Sequence, residues 1–288
     1  MRRNVLYGPR IEGDLDIGLQ VTRVGSGVKD WARINGPGGR LPGQSEQEIG
    51  EQSETQKYRI GTRRVQDERV FRYCKASTTG INRAYLAAQD MNRYKVDGSQ
   101  EHWQGTLSAT AEAGAYTVVT ADTTAAHILD FFAGGWVYLR PASANQQLYR
   151  IRSNTAAGTS MTLTLWEPLK FEAASGGTIW VIPSIYSNLQ RVHGGGDTKA
   201  GFPCVPIRTV TASYYFWGQT WGPCMGTPSQ GDMAGSYERD LVFSYDGSIR
   251  NTPAKGANSY FQKAGHSLLY QTDAQTNGLC FFMLQISP

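Results

Sequence analysis

The sequence predicts an all-β protein: an antiparallel sandwich or barrel in one or two lobes, behind an extended N-terminal arm. Three observations predict it. Four runs rich in β-branched and aromatic residues, at 136–140, 148–152, 161–166 and 178–182, follow one another at 12- to 18-residue spacing. Turn formers separate them, at 141–145, 153–158 and 173–177, with no helical periodicity between. Finally, Met161, Leu163 and Leu165 alternate with Thr162, Thr164 and Trp166, a period of two that gives a sheet one core face and one face free to meet something.

In chain order, residues 1–56 differ from the rest. The stretch 35–43 is too rich in Gly and Pro for a regular element, and 44–56 is almost wholly polar, with Ile49 its single aliphatic residue. Such a segment cannot offset its ordering entropy by apolar burial, so it is expected to be mobile or to lie extended on a neighbour. Val5, Leu6, Tyr7, Ile11, Leu15, Ile17, Leu19 and Trp31 are too apolar for a solvated tail and favour an arm ordered by a partner chain. Order is expected to start at Tyr58. Residues 57–100 read as a β-hairpin, turning at 66–69, and a linker; 81–94 suits either one short helix or an extended link. Residues 101–193 read as a barrel or sandwich lobe, with a strand at 116–120 and a turn of helix within 122–132. Residues 194–288 form a C-terminal β segment completing the fold. Its last strand, 279–286, is so apolar that it is expected to be central in a sheet.

Composition bounds the function. Of 288 residues, 40% are hydrophobic and 18% charged, which is globular and light in charge. Residues 1–75 hold 14 Lys and Arg against 10 Asp and Glu, so the first quarter carries the whole net charge of +4. A near-neutral β body behind a basic arm points to docking on a larger partner and away from direct nucleic-acid binding, which needs a denser basic face. No run approaches the ~20 apolar residues of a membrane span, and no signal peptide follows the first residues, so a soluble chain made in a reducing cytoplasm is expected.

No chemistry-bearing motif survives inspection. Residues 194–201 resemble a phosphate loop in composition, but Ala-Gly-Phe-Pro follows Lys199 where a P-loop needs Ser or Thr and then a helix. His102, His127, His193 and His266 are isolated, and Cys74, Cys204, Cys224 and Cys280 are scattered, so buried thiols are expected and no metal or cofactor. No nucleophile motif is present, so no catalytic residue is assigned and a non-enzymatic role is expected. Tyr214, Tyr215, Phe216, Trp217 and Trp221 crowd into eight residues. This suits a strand buried on both faces, a subunit interface or a sugar-stacking platform. The candidate interface residues are Arg2, Arg3, Tyr7, Arg10 and Trp31 of the arm, with Tyr215, Trp217 and Trp221.

The order of the segments 61–76, 148–155, 163–169, 182–186 and 215–224 resembles that of tailed-bacteriophage virion structural proteins, in particular capsid decoration (cement) proteins. The likeness spans residues 58–288; the Gly- and Pro-rich start has no counterpart in it. What the resemblance implies is a non-enzymatic protein on the capsid surface of the virion, synthesised in the host cytoplasm. It would bind the major capsid protein and its own copies, as a homo-oligomer with a trimer the expected form. The rival expectation is a carbohydrate- or receptor-binding module of a virion appendage.

Overall fold

A computed structural model describes residues 18–19, 34–35, 41, 43–90, 103–121, 127–140, 145–191, 201–229, 239–244, 246–252, 262–269 and 279–288. The fold is all-β, and among the described residues no helix forms. Near the start, β1 (Gly18–Leu19) pairs antiparallel with β2 (Ile34–Asn35). The chain then continues through β3 (Gln52–Ser53), β4 (Arg63–Gln66), β5 (Arg69–Lys75) and β6 (Gln89–Asp90).

Six strands make the middle of the molecule: β7 (Trp103–Thr106), β8 (Thr117–Thr120), β9 (Trp136–Arg140), β10 (Gln147–Asn154), β11 (Met161–Leu165) and β12 (Thr178–Ile182). Their order in the sheet is β7-β12-β9-β10-β11-β8. Sheet order thus departs from chain order: β12 does not extend past β11 but returns to pair with β9 on its other side. The outer strands meet, because Leu107 bridges Thr120 and the Ser108 N–H donates to the Val119 carbonyl at 2.9 Å. Such a meeting rolls the sheet into a small barrel. Alternation fills its inside with Val118, Val137, Leu139, Ile151, Met161, Leu163, Leu165, Ile179 and Val181, and turns their neighbours outward.

The remaining strands are β13 (Leu189–Gln190), β14 (Val205–Pro206), β15 (Tyr215–Gly226), β16 (Asp240–Phe243), β17 (Ile249–Asn251), β18 (Lys263–Ser267) and β19 (Cys280–Gln285). All but β13, which pairs with β6, join a nine-stranded sheet whose main path is β17-β16-β18-β19-β15-β5-β4. β19 lies between β18 and β15, the central place its apolar run predicted. The long β15 is the spine: it pairs with β5 and β3 at one end, β14 in the middle and β19 at the other end. The hairpin near residue 70 and the C-terminal segment thus share one sheet, and the barrel is inserted between them.

Two sequence expectations are corrected. The helical option for 81–94 gives way to the extended one: Ile81 bridges Val210, Ala88 bridges Cys204, and β6 follows; residues 91–94 lie outside the described residues. In the 122–132 stretch, residues 122–126 lie outside the described residues and 129–132 are turn. The second correction concerns 44–56. This segment lies on the chain's own sheet, with Gln47 and Ile49 buried and β3 paired to β15. Order thus begins before Tyr58.

All four cysteines are buried free thiols. Cys74 and Cys204 approach to 3.8 Å across Gly218, where an added Cβ would fall 2.3 Å from the Cys204 Sγ. Burial pushes the Cys204 and Cys224 thiols up, and pushes Cys280 from 9.0 to about 12. The folded chain therefore holds protons that the unfolded chain releases above its ordinary thiol pKa. The Cys280 thiol's contribution to stability is full below pH 9 and is lost as pH rises toward 12. The urea midpoint is expected to fall progressively above pH 9, and less steeply in a Cys280→Ala chain. An equally steep fall in both would show that this thiol is not responsible.

Candidate docking face

The aromatic cluster of β15 is largely core. Trp217 is 1% exposed and packs edge-on against Tyr58 and Tyr73, with ring centroids 4.9 and 5.0 Å away. Its Nε1–H donates to the Gln47 carbonyl at 3.0 Å. Tyr215 is half-buried and stacks on Tyr73 at 6.0 Å, with the Lys75 ammonium over its ring; Trp221 is half-buried. Of the three, then, Trp217 has no surface to offer a partner, and the buried-strand reading describes it. Burial also pushes the Tyr73 hydroxyl up, so it stays protonated and donates to the Gln47 Oε1 at 2.7 Å. Arg2, Arg3, Tyr7, Arg10 and Trp31 lie outside the described residues.

Among the described residues, the exposed aromatics are instead on the barrel. Strand alternation turns Trp136 and Arg140 out from β9 and Trp180 out from β12, while Leu148, Arg150 and Arg152 point out from β10. Register aligns them into rows. Gln104, Trp180, Tyr138 and Leu148 stand side by side across four strands, and Ile182, Trp136 and Arg150 form the next row. Trp136, Trp180 and Leu148 are 44%, 42% and 59% exposed, and the Tyr138 and Trp180 rings lie 6.0 Å apart. No Asp or Glu occurs in any of the six strands. The result is a contiguous face of Trp, Tyr, Leu and Arg with amide and hydroxyl groups at its margin.

Beyond this face Trp166 continues the Arg150 row, its backbone N–H donating to the Arg150 carbonyl at 3.1 Å. Two guanidiniums lie over its indole, Arg59 at 4.2 Å and Arg152 at 5.3 Å. Arg59 comes from the segment leading into β4, so this stack joins the barrel to the larger sheet. Gly61 allows the approach: a Cβ there would fall 3.2 Å from Arg150 Nη2 and 3.3 Å from the Tyr186 ring.

Trp, Tyr and Arg are the residue types enriched where proteins bind one another, and an apolar face without carboxylates is costly to leave in water. The face contains no arranged nucleophile and base. Among the described residues, no group of three or more His, Cys, Asp or Glu could hold a metal ion, and no helix is long and apolar enough to cross a membrane. The runs at 136–140 and 178–182 are almost continuously apolar, so the sequence alone does not mark Trp136 and Trp180 as outward-facing; the pleat of the folded strands does. No known protein family, curated protein or solved structure matches this chain.

Proposed function

We propose that the chain is a non-enzymatic structural protein of a tailed-phage virion, a capsid decoration protein that docks on the major capsid protein and stabilises the head. The observation that carries the reading is the exposed Trp136–Tyr138–Trp180–Leu148 face on a closed barrel. Rigid strands hold these side chains in fixed positions, so little conformational entropy is lost when a partner covers them. A protein that assembles with copies of itself, as a trimer on the lattice, agrees with the low charge and with the apolar residues of the N-terminal arm. Residues 1–40 would supply a second contact, with Arg2, Arg3, Tyr7, Arg10 and Trp31 crossing a neighbour's surface.

The second reading, a glycan- or receptor-binding module of an appendage, has one specific observation in its favour. Gln104 and Gln146 flank the Trp180 and Tyr138 rings, and the Tyr138 hydroxyl bonds to Gln146, an arrangement that could stack a sugar and bond its hydroxyls. Electron microscopy of the particle carrying the chain separates the two: density on the head shell is expected, and density at an appendage tip would overturn the decoration reading.

A Trp136→Ala/Trp180→Ala chain is expected to stay folded at a cost of about 1–2 kcal/mol per site, because each Trp is a little more than half covered by the chain itself. Particle binding should weaken by ~2 kcal/mol for each Trp buried at the centre of the interface. Unchanged sedimentation with particles would remove the barrel face from the interface.

A further inference from the structure

Beside the row of Gln104, Trp180, Tyr138 and Leu148 runs a second, polar row. Register sets Thr106 of β7, Thr178 of β12 and Arg140 of β9 side by side, two residues along their strands from Gln104, Trp180 and Tyr138. Alternation turns both rows outward, and the rise of a strand puts them ~6.8 Å apart. Gln104, Thr106 and Arg140 are exposed, and Tyr138 and Thr178 are half-buried. Gln146, exposed just before β10, accepts from the Tyr138 hydroxyl. Arg140 is the one charge in either row, and among the described residues it has no ion-pair partner. A solvated sheet face accounts for the threonines, the glutamines and the arginine. It does not account for two aromatic rings 6.0 Å apart left in water beside them.

We propose that the two rows form a subsite for a carboxylate-bearing saccharide, a pyranose acid of the uronate or sialate class. The C–H groups on the flat side of a pyranose are weakly electropositive and suit the negative face of the Trp180 ring. The sugar's hydroxyls donate and accept, and so do the Thr106 and Thr178 hydroxyls and the Gln104 and Gln146 amides around that ring. The Arg140 guanidinium matches a carboxylate with two parallel hydrogen bonds, and no Asp or Glu in the six strands repels the anion. One guanidinium does not follow successive phosphates, so the rows fit a sugar acid better than a nucleic acid. Trp136, in the row on the other side of Tyr138, takes no part. The inference deepens the glycan-binding reading and rests on it: that reading asks for a sugar, and Arg140 chooses its charge. It holds whether the chain sits on the head or on an appendage.

The test is titration of the full chain with sialyllactose and trigalacturonate, beside their neutral counterparts lactose and methyl-esterified trigalacturonate, and beside acetate. Tryptophan fluorescence and saturation-transfer NMR follow binding. Saturable binding of an acidic sugar is expected, with its neutral counterpart about tenfold weaker, the scale of one charge-assisted hydrogen bond. Arg140→Gln should bring the acidic sugar down to the neutral level and leave the neutral one unchanged; Arg140 is exposed, so this variant should fold. Trp180→Ala should abolish binding of both. Lys263→Gln, exposed on the other sheet, should change neither. Equal binding of the acidic sugar by Arg140→Gln overturns the proposal, as does an equal loss in Lys263→Gln. Acetate binding as tightly as the sugars also overturns it, and reduces Arg140 to a contact for any free anion. Should neutral and acidic sugars bind alike, the choice of charge falls and the glycan-binding reading stands. Should no sugar bind, both fall together.

Discussion

A Gly265→Ala chain is expected not to reach the native state. Gly265 sits in β18 with φ at +146°, paired to Leu284 of β19 on one side and to Leu241 of β16 on the other. A Cβ added there would lie 1.7 Å from the Met283 carbonyl oxygen and 2.9 Å from its carbon. Both are backbone atoms in the centre of the sheet, so no side-chain rotation relieves the clash. β18 would have to pull away from β19, opening the layer that holds Leu241, Ala264, Phe282 and Leu284. Losing that ladder and its packing costs more than about 4–5 kcal/mol, comparable to the whole stability of a typical domain. Gly114 is the control: it has φ at +90° but nothing within 4 Å of its added Cβ, so alanine there should cost only the ~1–2 kcal/mol of left-handed backbone. Urea denaturation followed by circular dichroism compares the two. If Gly265→Ala were no less stable than Gly114→Ala, the close approach would not be a constraint on the fold.

The local pattern of the strands was legible; their partners were not. Alternation at 161–165 marks which residues enter the barrel, because the pleat sends neighbours to opposite faces whatever the pairing. Nothing in the strand runs says that β12 returns beside β9, or that β5 and β19 flank β15 from opposite ends of the chain. The 44–56 segment departs from expectation for a physical reason: with one aliphatic residue it has little apolar surface to bury, yet Gln47 is held by hydrogen bonds to buried groups. The candidate site was not legible either. Trp136 and Trp180 sit in nearly all-apolar runs whose outward members the sequence does not mark, and Arg59, Arg152 and Trp166 come from separate segments that only the fold brings together.

The same segment gives the second large effect. Deleting residues 1–56 is expected to destabilise the body by several kcal/mol, whereas deleting residues 1–40 should not. The difference lies in Gln47 and Ile49. The Gln47 Oε1 accepts from the Tyr73 hydroxyl at 2.7 Å, its Nε2 donates to the Tyr215 carbonyl at 3.1 Å, and its own carbonyl accepts from Trp217 Nε1 at 3.0 Å. Removing the segment orphans two donors beside a core of Tyr58, Phe71, Tyr73 and Trp217, at roughly 1–3 kcal/mol for each group that water cannot reach. Losing the burial of Ile49, which is 6% exposed, adds about 1.5–3 kcal/mol. Gln47→Ala alone keeps the backbone carbonyl for Trp217 but loses the side-chain bonds to Tyr73 and Tyr215, and should cost about 2–3 kcal/mol. The shorter deletion isolates the arm. A chain starting at residue 41 should melt with the full-length protein yet bind particles more weakly. That loss should persist at high salt, because screening weakens ionic contacts far more than apolar ones. Thermal melts and particle sedimentation of the three chains, at low and high salt, check both halves. Equal melting of the two truncations would mean that 41–56 does not hold the body together, and normal particle binding by the shorter deletion would remove the arm from the interface.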